Sequence, residues 1–107
     1  MRESKEKLRR KLDKDIAIII PSYEPSEFLL YLCGFLQEKA FEVIVVDDGS
    51  GEEYKGLFNR IEASGCVVLC HESNLGKGRA LKDAFRWVLE NRPEVFGVVT
   101  ADSDGQH

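Results

Sequence analysis

A chain of 107 residues is long enough for one domain around one core, and too short to favour two. Its 43% hydrophobic and 32% charged content excludes a disordered chain, and no apolar run approaches the roughly 18 to 20 residues of a membrane span. The net charge of -4 is unevenly placed: residues 2 to 14 carry seven basic and three acidic side chains, a net of +4, which leaves -8 for the rest.

Residues 1–14 therefore form a basic arm ahead of an acidic body, residues 15–107. Such an arm is either drawn to an anionic membrane surface, at about 1 kcal/mol per basic residue, or is a solvated N-terminus. It lacks the apolar core of a signal peptide, so a cytoplasmic location is expected. No nucleic-acid partner is expected.

The body opens with Asp15-Ile-Ala-Ile-Ile-Ile20, an apolar run closed by Pro21, as in a strand covered on both faces. Residues 42–46, 66–69 and 95–100 repeat that character, which predicts four buried strands. Between them lie three segments of helical period, each apolar at i, i+3, i+4 and i+7. They are Leu29, Leu32, Cys33 and Leu36, then Tyr54, Leu57, Phe58 and Ile61, then Leu81, Ala84, Phe85, Val88 and Leu89. Ser26 is placed to cap the first helix, Gly65 falls just past the second, and Asn91 and Pro93 close the third. The order βαβαβαβ implies an α/β fold: a Rossmann-like, mainly parallel sheet with helices on both faces. Phe28, Leu30, Tyr31 and Phe35 lie off the stripe of the first helix. They imply a second surface to be covered, by further chain or by a homo-oligomer contact.

Cys33, Cys66 and Cys70 cannot all pair, and residues four apart on a strand are too distant for a disulfide, so three reduced core thiols are expected.

In an open parallel sheet, ligands bind beyond the carboxyl ends of the strands, where strand order reverses. The polar residues gather there. Pro21-Ser22-Tyr23-Glu24 follows the first strand, Asp47-Asp48-Gly49-Ser50 the second, His71 to Arg79 the third, and Asp102-Ser103-Asp104 the fourth. With a strand order of 3-2-1-4, Tyr23, Asp47 and Asp102 line one crevice. Asp-Asp-Gly-Ser is also ordinary turn chemistry, and Gly76-Lys77-Gly78-Arg79 is an ordinary helix opening that could attract phosphate. Asp102 and Asp104 are harder to explain as turn residues. Two close carboxylates repel unless a cation or proton lies between them, and hard oxygen donors suit Mg²⁺ or Mn²⁺ shared with phosphate oxygens.

Four blocks in order carry a resemblance: Ile18 to Tyr23, Val45 to Ser50, Asn74 to Leu81, and Thr100 to His107. Residues 15–107 resemble the nucleotide-binding half of a family 2 glycosyltransferase with the GT-A fold, the nucleotide-diphospho-sugar transferase fold. They are most similar to polyprenyl- or dolichol-phosphate sugar transferases and to bacterial members continuing into a GtrA-like membrane domain. The resemblance implies that Pro21, Tyr23 and Glu24 frame the nucleotide pocket and that Asp47 contacts the base, supported by Asp48. It further implies that Lys77 lies near the nucleotide, and that Asp102 and Asp104, joined by Gln106, hold Mg²⁺ or Mn²⁺ on the diphosphate. The implied donor is a UDP- or GDP-linked sugar. The implied acceptor is a polyprenyl phosphate or cell-envelope glycan, met at the cytoplasmic face of the membrane. One departure is visible, because the family commonly has Asn where this chain has Glu24.

The carboxylate base of such a transferase follows the metal motif, beyond His107, so the chain alone is expected to bind nucleotide and transfer no sugar. Other classes share some of these features. A non-catalytic nucleotide-binding module would bind without turnover, and a structural α/β scaffold would bind neither metal nor nucleotide. A phosphoacceptor receiver domain would place its acidic pair after the first strand.

Overall fold

A computed structural model describes residues 15–95 and 97–103. The basic arm, Asp104 and Gln106 lie outside the described residues. The elements run β1 (Ile16–Ser22), α1 (Phe28–Glu38), β2 (Glu42–Asp48), a 3-10 turn (Glu52–Tyr54), α2 (Lys55–Ala63), β3 (Val67–His71), α3 (Lys77–Asn91) and β4 (Gly97–Thr100). All three strand pairings are parallel, in the order β3-β2-β1-β4. This is the expected α/β sheet, with its switch point between β1 and β4.

Strand alternation divides the core in two. Ile18, Ile20, Val43 and Val45 face α1 and α2, packing with Leu29, Cys33, Phe58 and Ile61. Ala17, Ile19, Ile44 and Val46 face α3, against Ala80, Ala84 and Val88. Each fully buried Ile or Val side chain contributes about 1.5–3 kcal/mol through burial.

Several boundaries differ from the sequence-based expectation. Pro21 does not close β1, which continues to Ser22 with Pro21 opposite Val46. Ile19 accepts the N–H of Ala101 on the β4 side. Two residues on, Pro21 turns its missing N–H to that same side, past the last β4 pairing at Thr100, so no ladder bond is forfeited. The expectation of four buried strands holds only for β1 and β2, because β3 and β4 are the outer strands of the described sheet and are only partly covered. On α3 the buried face runs through Ala80, Ala84 and Val88, whereas Phe85 and Leu89 are exposed. Small side chains let the helix approach the sheet closely, and the bulkier apolar residues flank the contact. Ser26 is not the N-cap of α1; Glu27 holds that position, and the Ser26 hydroxyl accepts the Phe28 N–H at 3.3 Å.

Cys33 and Cys66 are buried, as expected, but Cys70 is exposed. A hydrogen bond to Cys66 and burial push the Cys33 thiol up, so it keeps its proton. Phe28, Tyr31 and Phe35 form an exposed stripe on α1, with the Lys39 ammonium 5.4 Å from the Phe35 ring centroid.

Candidate nucleotide site

The loops after β1, β2 and β3 meet the segment after β4 around a cleft of about 320 Å³, lined by Pro21, Ser22, Tyr23, Asp48, Asn74, Gly76, Lys77, Asp102 and Ser103. Residues from four separate loops thus converge at the switch point. Tyr23 stands half-exposed at the edge. The neighbouring Glu24 charge raises its hydroxyl pKa, so the ring is a neutral phenol and a flat surface for stacking. Glu24 adopts a positive φ of 47°, and its N–H donates to Ser50 Oγ at 2.8 Å, joining the β1 and β2 loops.

The acidic pair at the end of β2 divides between the two faces. Asp47 Oδ1 accepts the Ser50 N–H at 3.0 Å, closing the turn. Its side chain lies on the α2 side, beside a separate cavity of about 510 Å³ with Lys55, Phe58, Asn59 and Cys70. That cavity is larger but is walled by α2, the turn before it and the ends of β2 and β3, without the residues after β1 and β4. The candidate site is therefore the smaller cleft, where the loops after all four strands converge. Asp48, rather than Asp47, is the member of the pair that lines the cleft beside Pro21 and Tyr23.

Asp48 organises the loop leading into α3. Its Oδ1 accepts the Leu75 N–H at 2.9 Å and faces His71 Nδ1 at 2.8 Å, while its Oδ2 accepts the Gly76 N–H at 2.9 Å. Burial pushes this carboxyl up. The hydrogen bonds from His71, Leu75 and Gly76 outweigh burial and hold it below the usual 3.8. His71 Nε2 lies 2.8 Å from Asp83 Oδ2 on α3, and Asp83 in turn accepts Arg79 Nε at 3.1 Å. Sequence reasoning placed His71 among the polar residues after the third strand without giving it a role, and did not name Asp83. The spacing of Arg79 and Asp83, one helical turn apart, was the available signal.

Lys77, at the start of α3, reaches across the cleft to Asp102 with Nζ 3.5 Å from Oδ1. Gly51 and Gly76 take φ near +100° just before the 3-10 turn and α3. Asp102 supplies one hard oxygen donor at the cleft, of the kind a Mg²⁺ or Mn²⁺ ion takes. No cluster of three or more metal-ligating side chains occurs among the described residues. The expected partners Asp104 and Gln106 lie outside them. By its donor chemistry Asp102 therefore fits a divalent ion as one ligand.

The chain is 27% identical over 110 residues to a UDP-N-acetylglucosamine--dolichyl-phosphate N-acetylglucosaminyltransferase of Methanococcus voltae, spanning 89% of this chain and 43% of that protein. Its structure is similar to glucosyl-3-phosphoglycerate synthase of Mycobacterium tuberculosis in complex with Mn²⁺, UDP and phosphoglyceric acid. The TM-score is 0.55 at 27% identity, over 90% of this chain and 35% of that one. The same synthase with Mn²⁺, UDP-glucose and phosphoglyceric acid matches at a TM-score of 0.54 and 26% identity. The chain thus spans less than half the length of these relatives. Residues 17–107 match the model of Glycosyl transferase family 2, and with most of its length inside that match the chain belongs to the family.

Proposed function

We propose that this chain is the donor-binding part of a glycosyltransferase that takes a sugar from a nucleotide diphosphate and passes it, with inversion, to a phosphorylated acceptor. The observation that carries this reading is the convergence of Pro21, Tyr23, Asp48, Lys77 and Asp102 on one cleft at the switch point. Tyr23 offers a stacking face for the base. Asp48, an acceptor-only carboxylate, suits a base N–H, a role that the sequence resemblance gave to Asp47. Lys77 offers positive charge to the diphosphate, and Asp102 reaches the same region. When bound, Mg²⁺ or Mn²⁺ would neutralise the charge that develops on the departing diphosphate. Asp102, Asp104 and Gln106 are its proposed ligands.

UDP is the favoured nucleotide, because a UDP-sugar is named for the archaeal relative and for the synthase complex. A phosphate-bearing compound is also named for each relative, dolichyl phosphate for the transferase and phosphoglyceric acid in the synthase complex, which supports a phosphorylated acceptor here. A lipid-linked acceptor would place the reaction at the cytoplasmic face of a membrane, where the arm of residues 1–14 would meet anionic lipid.

Calorimetric titration of UDP and GDP, with and without Mn²⁺, into the chain and into its Asp102→Ala, Asp104→Ala variant tests this reading. Metal-dependent binding of UDP that is lost in the variant is expected. Equal binding by the variant would overturn the metal assignment, and no binding of either nucleotide would favour a scaffold.

A further inference from the structure

Both ring nitrogens of His71 face carboxylates at hydrogen-bond distance, Nδ1 to Asp48 and Nε2 to Asp83, each at 2.8 Å. The ring is 11% exposed. A neutral imidazole carries one N–H and could satisfy only one of them. Neither carboxyl is a ready home for the second proton. Asp48 already accepts the Leu75 and Gly76 N–H groups, and Asp83 accepts the Arg79 guanidinium. Two ionised acceptors on opposite sides of one ring call for two N–H donors.

The charges alternate along this chain of contacts: Asp48, His71, Asp83, Arg79. With His71 doubly protonated they sum to zero. With one proton removed, a negative charge is left uncompensated behind Asp48, in the wall of a cleft that would receive a diphosphate. The ring nitrogen facing one carboxylate would also become a second lone pair there. Asp48 is the residue whose oxygens hold Leu75 and Gly76, so the loss reaches the loop into α3.

Resting on the nucleotide-binding reading, we propose that His71 is a positioning residue. As an imidazolium shared between Asp48 and Asp83 it fixes the β3–α3 loop, so the grip on a nucleotide diphosphate weakens when the ring loses a proton. The charged groups facing it come from both packed elements, Asp48 from β2 and Asp83 from α3, with Arg79 behind Asp83. On its own segment, Glu72 lines the other cavity and Lys77 pairs with Asp102. The Asp48 hydrogen bond raises the His71 pKa above its ordinary 6.5, burial opposes it, and Asp83 adds to the rise.

The test is imidazole ¹⁵N NMR of the chain from about pH 5 to about pH 9, spanning histidine titration. A His107→Gln variant assigns the only other histidine. Expected are two protonated ring nitrogens in His71 at neutral pH, a midpoint above 6.5, and a lower midpoint in Asp83→Asn. The Leu75 and Gly76 amide signals should move with that midpoint. UDP affinity in Mn²⁺ should fall about fivefold or more through it, the order expected of one uncompensated charge near a diphosphate. In His71→Gln that pH step should vanish. A single neutral tautomer, a midpoint at or below 6.5, or static loop amides would overturn the proposal. So would UDP affinity that ignores an otherwise normal titration. Failure to bind UDP at any pH, with the ring and amides behaving as expected, would overturn the nucleotide reading and uphold the loop clamp.

Discussion

Asp48 Oδ2 accepts the Gly76 N–H at 2.9 Å, which ties the last residue of β2 to the residue just before α3. Together with the Leu75 bond to Oδ1, this makes one carboxylate the acceptor for two consecutive backbone donors in the loop that walls the cleft.

Replacing Asp48 with Asn should destabilise the chain by about 1–3 kcal/mol, since the neutral amide keeps a single oxygen and leaves one of these two donors facing an NH2 group without an acceptor. Urea unfolding of the variant checks this. The pH dependence has a definite sign. Asp48 titrates below 3.8 in the folded chain, so its contribution is present above that value and is lost as pH falls through the lowered one. Wild type should lose this contribution on acidification, and the variant should not.

Gly49 sits at φ +76°, where an added Cβ would collide with the backbone of Ser73 and Asn74. Those atoms belong to the β3–α3 loop and cannot yield as a side-chain end can. Gly49→Ala should cost upwards of about 2 kcal/mol from left-handed strain and backbone displacement. It should also disturb the cleft. A thermal midpoint within error of wild type would contradict the close approach.

Glu24 occupies a left-handed conformation that Asn adopts more readily. Glu24→Asn should therefore raise stability by up to about 1 kcal/mol, provided the N–H still reaches Ser50 Oγ. Chemical denaturation of both proteins measures the difference.

Cys70 is the exposed thiol, while Cys33 and Cys66 lie in the core. A maleimide should label one thiol in the native chain and three after unfolding. Burial and the Asp47 charge raise the Cys70 pKa, so labelling should be slow at neutral pH and accelerate as pH rises. Peptide mapping identifies the site.

The four apolar runs and the three helical stripes between them were enough for the strand count, the element order and the placing of polar residues at strand ends. Hydrophobic period reports which residues avoid water, and in a parallel sheet that nearly sets the architecture. It failed at Pro21, because whether a proline breaks a strand depends on where the neighbouring strand stops. It also misplaced the contact on α3. Phe85 and Leu89 fit the apolar period as well as Ala80 does, yet close approach to the sheet selects small side chains.

Period-two alternation requires Asp47 and Asp48 to point to opposite faces, and that much is local chain geometry. Which of them meets the cleft depended on α3 crossing the Asp48 face and on β4 lying beside β1. These are consequences of packing, and adjacent residues carry no record of them. The same holds for His71, whose partners are 23 and 12 residues away in sequence and meet it only once β2 and α3 close around the ring.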